Sequence, residues 1–361
     1  MKRFDILLLS IVLLLSFFGL LMLFDASSFI AYRDFHDKYY YLREQSIWLG
    51  IGIIGMTFFA FFDYHRLYYL AIPIMLGAIG MLLLVFIPGI GVYILGARRW
   101  ISLGLFVLQP AEFVKLGLAI YLAAWFSHKE KGRLLAFTLL IGFVLLLVIL
   151  EPDMGTASVI LAEALLVYFI SGGNMMHFIM LVPVLGVLGF LLIKLEPYRA
   201  KRLETFFNFN QALSTTSYHV RQILIALGMG GVSGVGIGNS LQKYAYLPEN
   251  ATDSIFAIFA EEFGFIGSVV LISIYGVLLW RGFVIAAQAK DTFGKLLASG
   301  ITIYIGVQTI INLGAQTALI PLTGIPLPFI SYGGSALVVS LCAIGILLNI
   351  SRQIVIHEKT R

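Results

Sequence analysis

Apolar residues run through this chain in long stretches separated by short polar clusters, without the alternation that marks half-buried strands. The stretches lie at 6–24, 46–62, 67–87, 113–126, 134–150, 156–171, 178–194, 254–280, 296–319 and 336–350. Crossing a bilayer takes about 20 mostly apolar residues per helix, because hydrocarbon offers no partner to an unpaired backbone group. The pattern predicts an all-α integral membrane protein of about ten transmembrane helices. Some stretches are short, so Asp63-Tyr64-His65-Arg66 and Glu151-Pro152-Asp153-Met154-Gly155 must be turns; if they are not, nine or eleven spans fit.

The widest gap, 195–253 between the seventh and eighth stretches, reads as one large loop within a single membrane domain covering 1–361. It holds Phe206, Phe207 and Phe209, an amphipathic run from Tyr218 to Leu227, and glycines from Gly228 to Gly238. That composition predicts helices lying at the membrane interface. Lys2, Arg3, Arg66, Lys129, Lys131, Arg133, Arg281, Lys290, Lys295, Arg352, Lys359 and Arg361 fall on one side of the predicted spans. The positive-inside rule makes that side cytoplasmic, with both termini on it and the large loop outside.

Composition agrees: 60% of residues are hydrophobic and 12% charged, against about 25% charged in soluble domains. The net charge of +5 is dispersed with no basic stripe or arm, which argues against nucleic-acid binding. The lone Cys342 cannot form an intrachain disulfide. The apolar run Ile6 to Phe24 is longer than the roughly 7–15 residues of a signal-peptide core, so it reads as a retained first helix.

Ionisable groups at membrane depth are costly and mark sites or paths. Four polar clusters fall on the predicted outer face. In the first, Arg98-Arg99-Trp100 precedes Gln109-Pro110-Ala111-Glu112-Phe113-Val114-Lys115, where Glu112 and Lys115 share a helix face as a buried ion pair. The pair is either a structural staple or part of a site. In the second, Glu151 to Thr156, Asp153 can cap the following helix.

The third, Leu247 to Ser254, contains Glu249 and places Asp253 at the headgroup boundary, as an N-cap or as a carboxylate tuned toward a general base. Glu261 and Glu262 follow inside a span, where at least one must face the protein interior. The fourth, Pro321 to Ser335, has three prolines and three glycines and includes Ser331. Non-helical backbone at this depth is either a re-entrant plug or the wall of a substrate groove. Gly231-Val232-Ser233-Gly234 lacks a paired histidine, and Gly234, Gly236 and Gly238 lack the strand–helix setting of a dinucleotide site.

Gly96-Ala97-Arg98-Arg99-Trp100-Ile101, Gln109 to Lys115, Glu151 to Thr156, Leu247 to Glu262 and Pro326 to Ser335 together resemble the SEDS family (shape, elongation, division and sporulation proteins). The match spans nearly the whole chain in family order. Phe24-Asp25-Ala26-Ser27-Ser28 after the first helix and the stretch Gly234 to Lys243 look more like division-type than elongation-type members. One departure stands out: where the family often has Ala-His-Thr-Asp-Phe, this chain has Asn250-Ala251-Thr252-Asp253-Ser254.

The resemblance implies a peptidoglycan glycosyltransferase of the bacterial cytoplasmic membrane that joins lipid II units on the outer face. It implies Asp253 as general base, with Arg98, Arg99, Glu112, Lys115, Asp153, Lys243, Glu249 and Ser331 binding substrate or supporting the site. A divalent cation, Mg or Mn, held partly by Asp153 or Glu112, is a further expectation, as is a class B penicillin-binding protein as partner. The competing readings are a lipid II flippase or transporter, without an evident inverted repeat to support it, and a non-catalytic scaffold, which leaves the outer-face acids unexplained.

Overall fold

The computed structural model describes residues 4–94, 96–102, 104, 106–128, 133–195, 200, 206–207, 215–244 and 246–354. Residues 196–199, 201–205, 208–214 (with Phe209) and 245 of the 195–253 loop, and the basic residues Lys2, Arg3, Lys129, Lys131, Lys359 and Arg361, lie outside them. The main helices among the described residues are α1 (Ile6–Phe35), α2 (Tyr40–Phe61), α3 (His65–Val85), α4 (Pro110–Phe126), α5 (Leu134–Leu150), α6 (Met154–Ile170), α7 (Met175–Leu195), α8 (Thr215–Gly230), α9 (Ile255–Gln288), α10 (Thr292–Gln316) and α11 (Gly334–Ile354). All but α8 match the ten predicted stretches. Six of them, α1, α2, α3, α9, α10 and α11, are long and apolar enough to cross a membrane. The 17 residues of α4, α5 or α6 reach about 25 Å at roughly 1.5 Å per residue.

The bundle is arranged around α10 and α11, whose most apolar 18-residue stretches are 78% buried, against 22–39% for the other four long spans. α11 lies along α2, and α10 contacts α4, α6 and α9. At the end holding the N-terminal segment, Arg281 pairs with Asp5, and the Asp5 amide donates to Ser351 Oγ at 3.2 Å, joining α9, α1 and α11. The polar clusters of interest sit at the opposite end.

Three local features depart from the sequence reading. First, α1 continues to Phe35, so Asp25 to Ser28 lie inside the helix and not after it. No glycine or proline interrupts the run from Leu20 to Phe35, and Ser27 returns its hydroxyl to the Leu23 carbonyl at 2.6 Å. Second, residues between α3 and α4 form an antiparallel sheet of β1 (Gly91–Ile94), β2 (Ala97–Ser102) and β3 (Val107–Leu108), in the order β1-β2-β3. Third, α9 is broken.

The break is at Gly264, whose φ of 67° and ψ of −164° fall in a region that essentially only glycine occupies. The Gly231–Gly236 loop repairs it. Val235 and Gly236 donate their amides to the Glu261 and Glu262 carbonyls at 3.0 and 3.1 Å, and Phe265 and Ile266 donate theirs to the Gly231 and Val232 carbonyls at 2.9 and 3.1 Å. Both free helix ends are thus capped by one loop, which is how a break is tolerated at membrane depth. Helix α8 turns its buried residues Val220, Ile223 and Ala226 inward and is packed on α9.

The Pro321–Ser335 segment is non-helical, as expected, up to the start of α11. It passes so close to α1 that a Cβ on Gly19 would lie 2.8 Å from Ile330 Cα. Gly19 is therefore the seat on which this segment rests.

Candidate functional site

At the outer end of α4, Glu112 and Lys115 form the expected ion pair, with Lys115 Nζ 2.8 Å from either carboxylate oxygen and the two side chains 3% and 1% exposed. Pro110 opens this helix, where its missing amide costs nothing, and the three-residue spacing puts acid and base on one face. Lys115 also donates to Gln308 Oε1 on α10 at 2.6 Å, and Gln308 Nε2 donates to the Pro326 carbonyl at 3.0 Å. Lys115 is therefore fully engaged inside the protein.

One turn further along α10, Asn312 Nδ2 donates to the Ile325 carbonyl at 2.7 Å and to the Asp253 carbonyl at 2.9 Å. Gln308 and Asn312 together tie α4, the proline-rich segment and the turn before α9 into one assembly. Asp253 is 8% exposed and sits in that turn. Ser254, not Asp253, occupies the N-cap of α9, so the capping reading of Asp253 does not hold. Thr252 donates its hydroxyl to Glu249 Oε2 at 2.9 Å, and the Glu249 carbonyl accepts from the Thr252 and Ser254 amides, both at 3.1 Å. Glu249 is exposed and shapes this turn.

The Glu151–Thr156 turn forms the neighbouring wall. Asp153 caps α6, accepting from the Thr156 amide at 3.0 Å and its hydroxyl at 2.9 Å, and takes a third bond from Gln109 Nε2 at 3.2 Å. Arg99 donates to the Glu151 carbonyl at 3.0 Å and to the Pro152 carbonyl, locking the sheet onto this turn. Its neighbour Arg98 is exposed. Glu151 is 1% exposed and neither carboxylate oxygen has a hydrogen-bond partner. Burial, reinforced by the nearby charge of Asp153 and opposed by Arg99, pushes its carboxyl up to about 8.

A second polar centre lies beside α1. Lys243 Nζ is 2.8 Å from Asp25 and 3.2 Å from Glu262. Burial works against the Lys243 charge, but the bond to Asp25 and the charges of Asp25 and Glu262 outweigh it and hold the ammonium above the ordinary lysine value. Glu261 accepts from Ser240 Oγ at 2.5 Å and from the Leu241 amide at 3.1 Å. Both acids face inward, each 1% exposed. Ser331 belongs to the scaffold: its hydroxyl accepts from the Leu327 amide at 2.8 Å and its carbonyl from Gln45 at 3.2 Å.

The structure thus brings Arg99 and Asp153 together, joins Glu112 and Lys115 to Asp253 through α10, and sets Lys243 in a separate cluster. Glu112 does not fit a cation ligand here, since Lys115 meets both of its oxygens, and the three bonds to Asp153 come from within the protein. Among the described residues no group of three or more His, Cys, Asp or Glu side chains could hold a metal. Sequence reasoning passed over Gln45, Gln308 and Asn312, although the four-residue spacing of Gln308 and Asn312 within an apolar span is the signal that marks those two. It also passed over Glu163, wholly buried in α6 with neither oxygen hydrogen-bonded.

A family model described as "Cell cycle protein", covering FtsW, RodA and SpoVE, matches residues 5–355. The chain is 41% identical over 355 residues to Stage V sporulation protein E of Bacillus subtilis (strain 168), covering 96% of this chain and 97% of that one. It is 38% identical over 360 residues to a probable peptidoglycan glycosyltransferase FtsW of Geobacter sp. (strain M18), covering 98% of each. A chain solved under the description "Structural coordination of polymerization and crosslinking by a peptidoglycan synthase complex" superposes with a TM-score of 0.81 at 29% identity, covering 98% of each chain.

Proposed function

The chain belongs to the cell cycle protein family of FtsW, RodA and SpoVE, and from that premise we propose how this multi-pass membrane protein of the bacterial cytoplasmic membrane works as a peptidoglycan glycosyltransferase. It joins lipid II units, disaccharide-pentapeptides carried on undecaprenyl diphosphate, at its outer face. The Asp253 carboxylate takes the proton of the acceptor GlcNAc 4-hydroxyl as that oxygen attacks the anomeric carbon of the donor MurNAc. The bond from that carbon to the diphosphate breaks, undecaprenyl diphosphate departs, and the anomeric configuration inverts.

The observation that carries this reading is the fixed turn at the outer start of α9. It holds the acid nearly buried, 8% exposed, just before α9, while Asn312 takes its carbonyl. A base held in place can act within hydrogen-bond reach of a docked hydroxyl. Electrostatic stabilisation of the departing diphosphate falls to the exposed Arg98, with Arg99 as a second cation on the same strand. Glu112, Lys115 and Asp153 support the site by fixing its walls, and Lys243 does so by holding the loop that returns to Asp253. No step is assigned to a resident cation; a Mg or Mn ion travelling with the substrate diphosphate is tested by adding chelator.

We place the chain on the division side of the family, supported by its FtsW-named relatives and the stretch Gly234 to Lys243. A class B penicillin-binding protein is the proposed partner, supported by the structural relative whose description couples polymerization with crosslinking. The test is reconstitution with that partner in liposomes containing lipid II, scoring glycan chain length and lipid translocation separately. Polymer without enhanced translocation supports the reading. Translocation without polymer would make the protein a flippase, and neither would leave a scaffold.

A further inference from the structure

We infer that His219, on the helix preceding the Gly231–Gly236 loop, is a positioning residue for the Asp253 base. This rests on the reading of Asp253 given above. His219 Nε2 and Ser254 Oγ lie 2.7 Å apart, within hydrogen-bond range whichever of the two carries the shared proton. Ser254 is wholly buried and immediately follows Asp253.

Serine at an N-cap ordinarily turns its hydroxyl back to the first amides of its own helix, which stabilises by about 1 kcal/mol. At the start of α9 no such side-chain bond exists. The hydroxyl is directed to His219 on α8 instead.

The Asp253–Ser254 peptide is thereby held from three directions. Asn312 of α10 takes the Asp253 carbonyl at 2.9 Å, the Glu249 carbonyl takes the Ser254 amide at 3.1 Å, and His219 of α8 takes the Ser254 side chain. Two of these anchors belong to rigid elements on different sides of the turn. Releasing one lets the Asp253 Cα, and with it the carboxylate, drift relative to the acceptor hydroxyl. Misplacement of about 1 Å at a reacting group can cost on the order of 100-fold in rate. His219 therefore acts through Ser254 and does not itself take the acceptor proton.

The test is a double-mutant cycle on the full chain with its partner, measuring lipid II polymerisation by His219→Ala, His219→Gln, Ser254→Ala and the His219→Ala/Ser254→Ala pair. His219→Ala and Ser254→Ala should each lower kcat about tenfold with KM within about twofold, a split expected of lost orientation. The pair should be no slower than the slower single variant, because both remove one bond. His219→Gln, which keeps a hydrogen-bonding group at similar reach, should recover to within about threefold of wild type.

Multiplicative losses in the pair, unchanged kcat in His219→Ala, or no rescue by His219→Gln would overturn the assignment. Variants are compared at equal folded fraction by size-exclusion profile and melting temperature, with His219→Gln as the fold-preserving control. Asp253→Asn runs alongside. If it retains full activity the base reading fails; if it is inactive while His219→Ala is normal, only the positioning role fails.

Discussion

Replacing Lys115 by methionine keeps the length and apolar stem of the side chain and removes only its charge. At 2.8 Å from Glu112, the gross attraction is about 6 kcal/mol at an effective dielectric near 20. Desolvating each group costs several kcal/mol, so the intact pair is close to neutral as a whole, while either member alone is expensive. Lys115→Met leaves the Glu112 carboxyl 2% exposed and without its cation, and also removes a 2.6 Å donor from Gln308. The expected loss is about 3–5 kcal/mol. The double variant Lys115→Met/Glu112→Gln removes both charges and should recover most of it.

The assay is denaturant or thermal unfolding of the purified protein, paired with polymerisation per folded molecule. Activity should return with stability in the double variant, because Lys115 is assigned to the wall of the site and not to the substrate. A double variant as unstable as the single one would refute the energetic argument. Restored stability without restored polymerisation would refute the structural role and return Lys115 to the departing diphosphate.

Three further outcomes follow. Gly264→Ala forces a side chain onto a backbone with φ 67°, so it should cost about 1–3 kcal/mol and lower polymerisation with it; unaltered melting would contradict the break. Glu151 keeps its proton in the folded state up to about 8 and loses it near the ordinary 4.5 when unfolded. Between those values the folded state binds the extra proton, so stability falls as pH rises and levels off above about 8. Glu151→Gln should flatten that slope in melting curves taken from pH 5 to 9, and an unchanged slope would dismiss Glu151 as its source. Asp153→Ala removes the α6 cap and should cost about 1 kcal/mol, checked by the same unfolding assay, with a loss below about 0.3 kcal/mol counting against it.

Much of the site was legible because its residues carry local signals. Three-residue spacing exposed the Glu112–Lys115 pair, a short polar turn before an apolar run exposed the Asp153 cap, and three prolines exposed the non-helical segment before α11. What stayed hidden depends on distant partners. The α9 run is apolar across Gly264, and only the Gly231–Gly236 loop, some 30 residues earlier, makes a break there affordable. Asp25 looked like a helix end because its partner Lys243 is 218 residues away. The sheet carrying Arg98 and Arg99 is held by the Glu151 turn, which no spacing along the chain reveals. His219 read as one residue of an amphipathic helix until its contact with Ser254 was seen.

The most direct test of the central claim is the rate at which folded Asp253→Asn, with the partner present, forms glycan chains from lipid II. The amide has the size of the carboxylate and leaves the carbonyl contact with Asn312 in place, so substrate should still bind while chain formation falls at least 100-fold, as expected for loss of a general base. Chain formation at the wild-type rate would contradict the account.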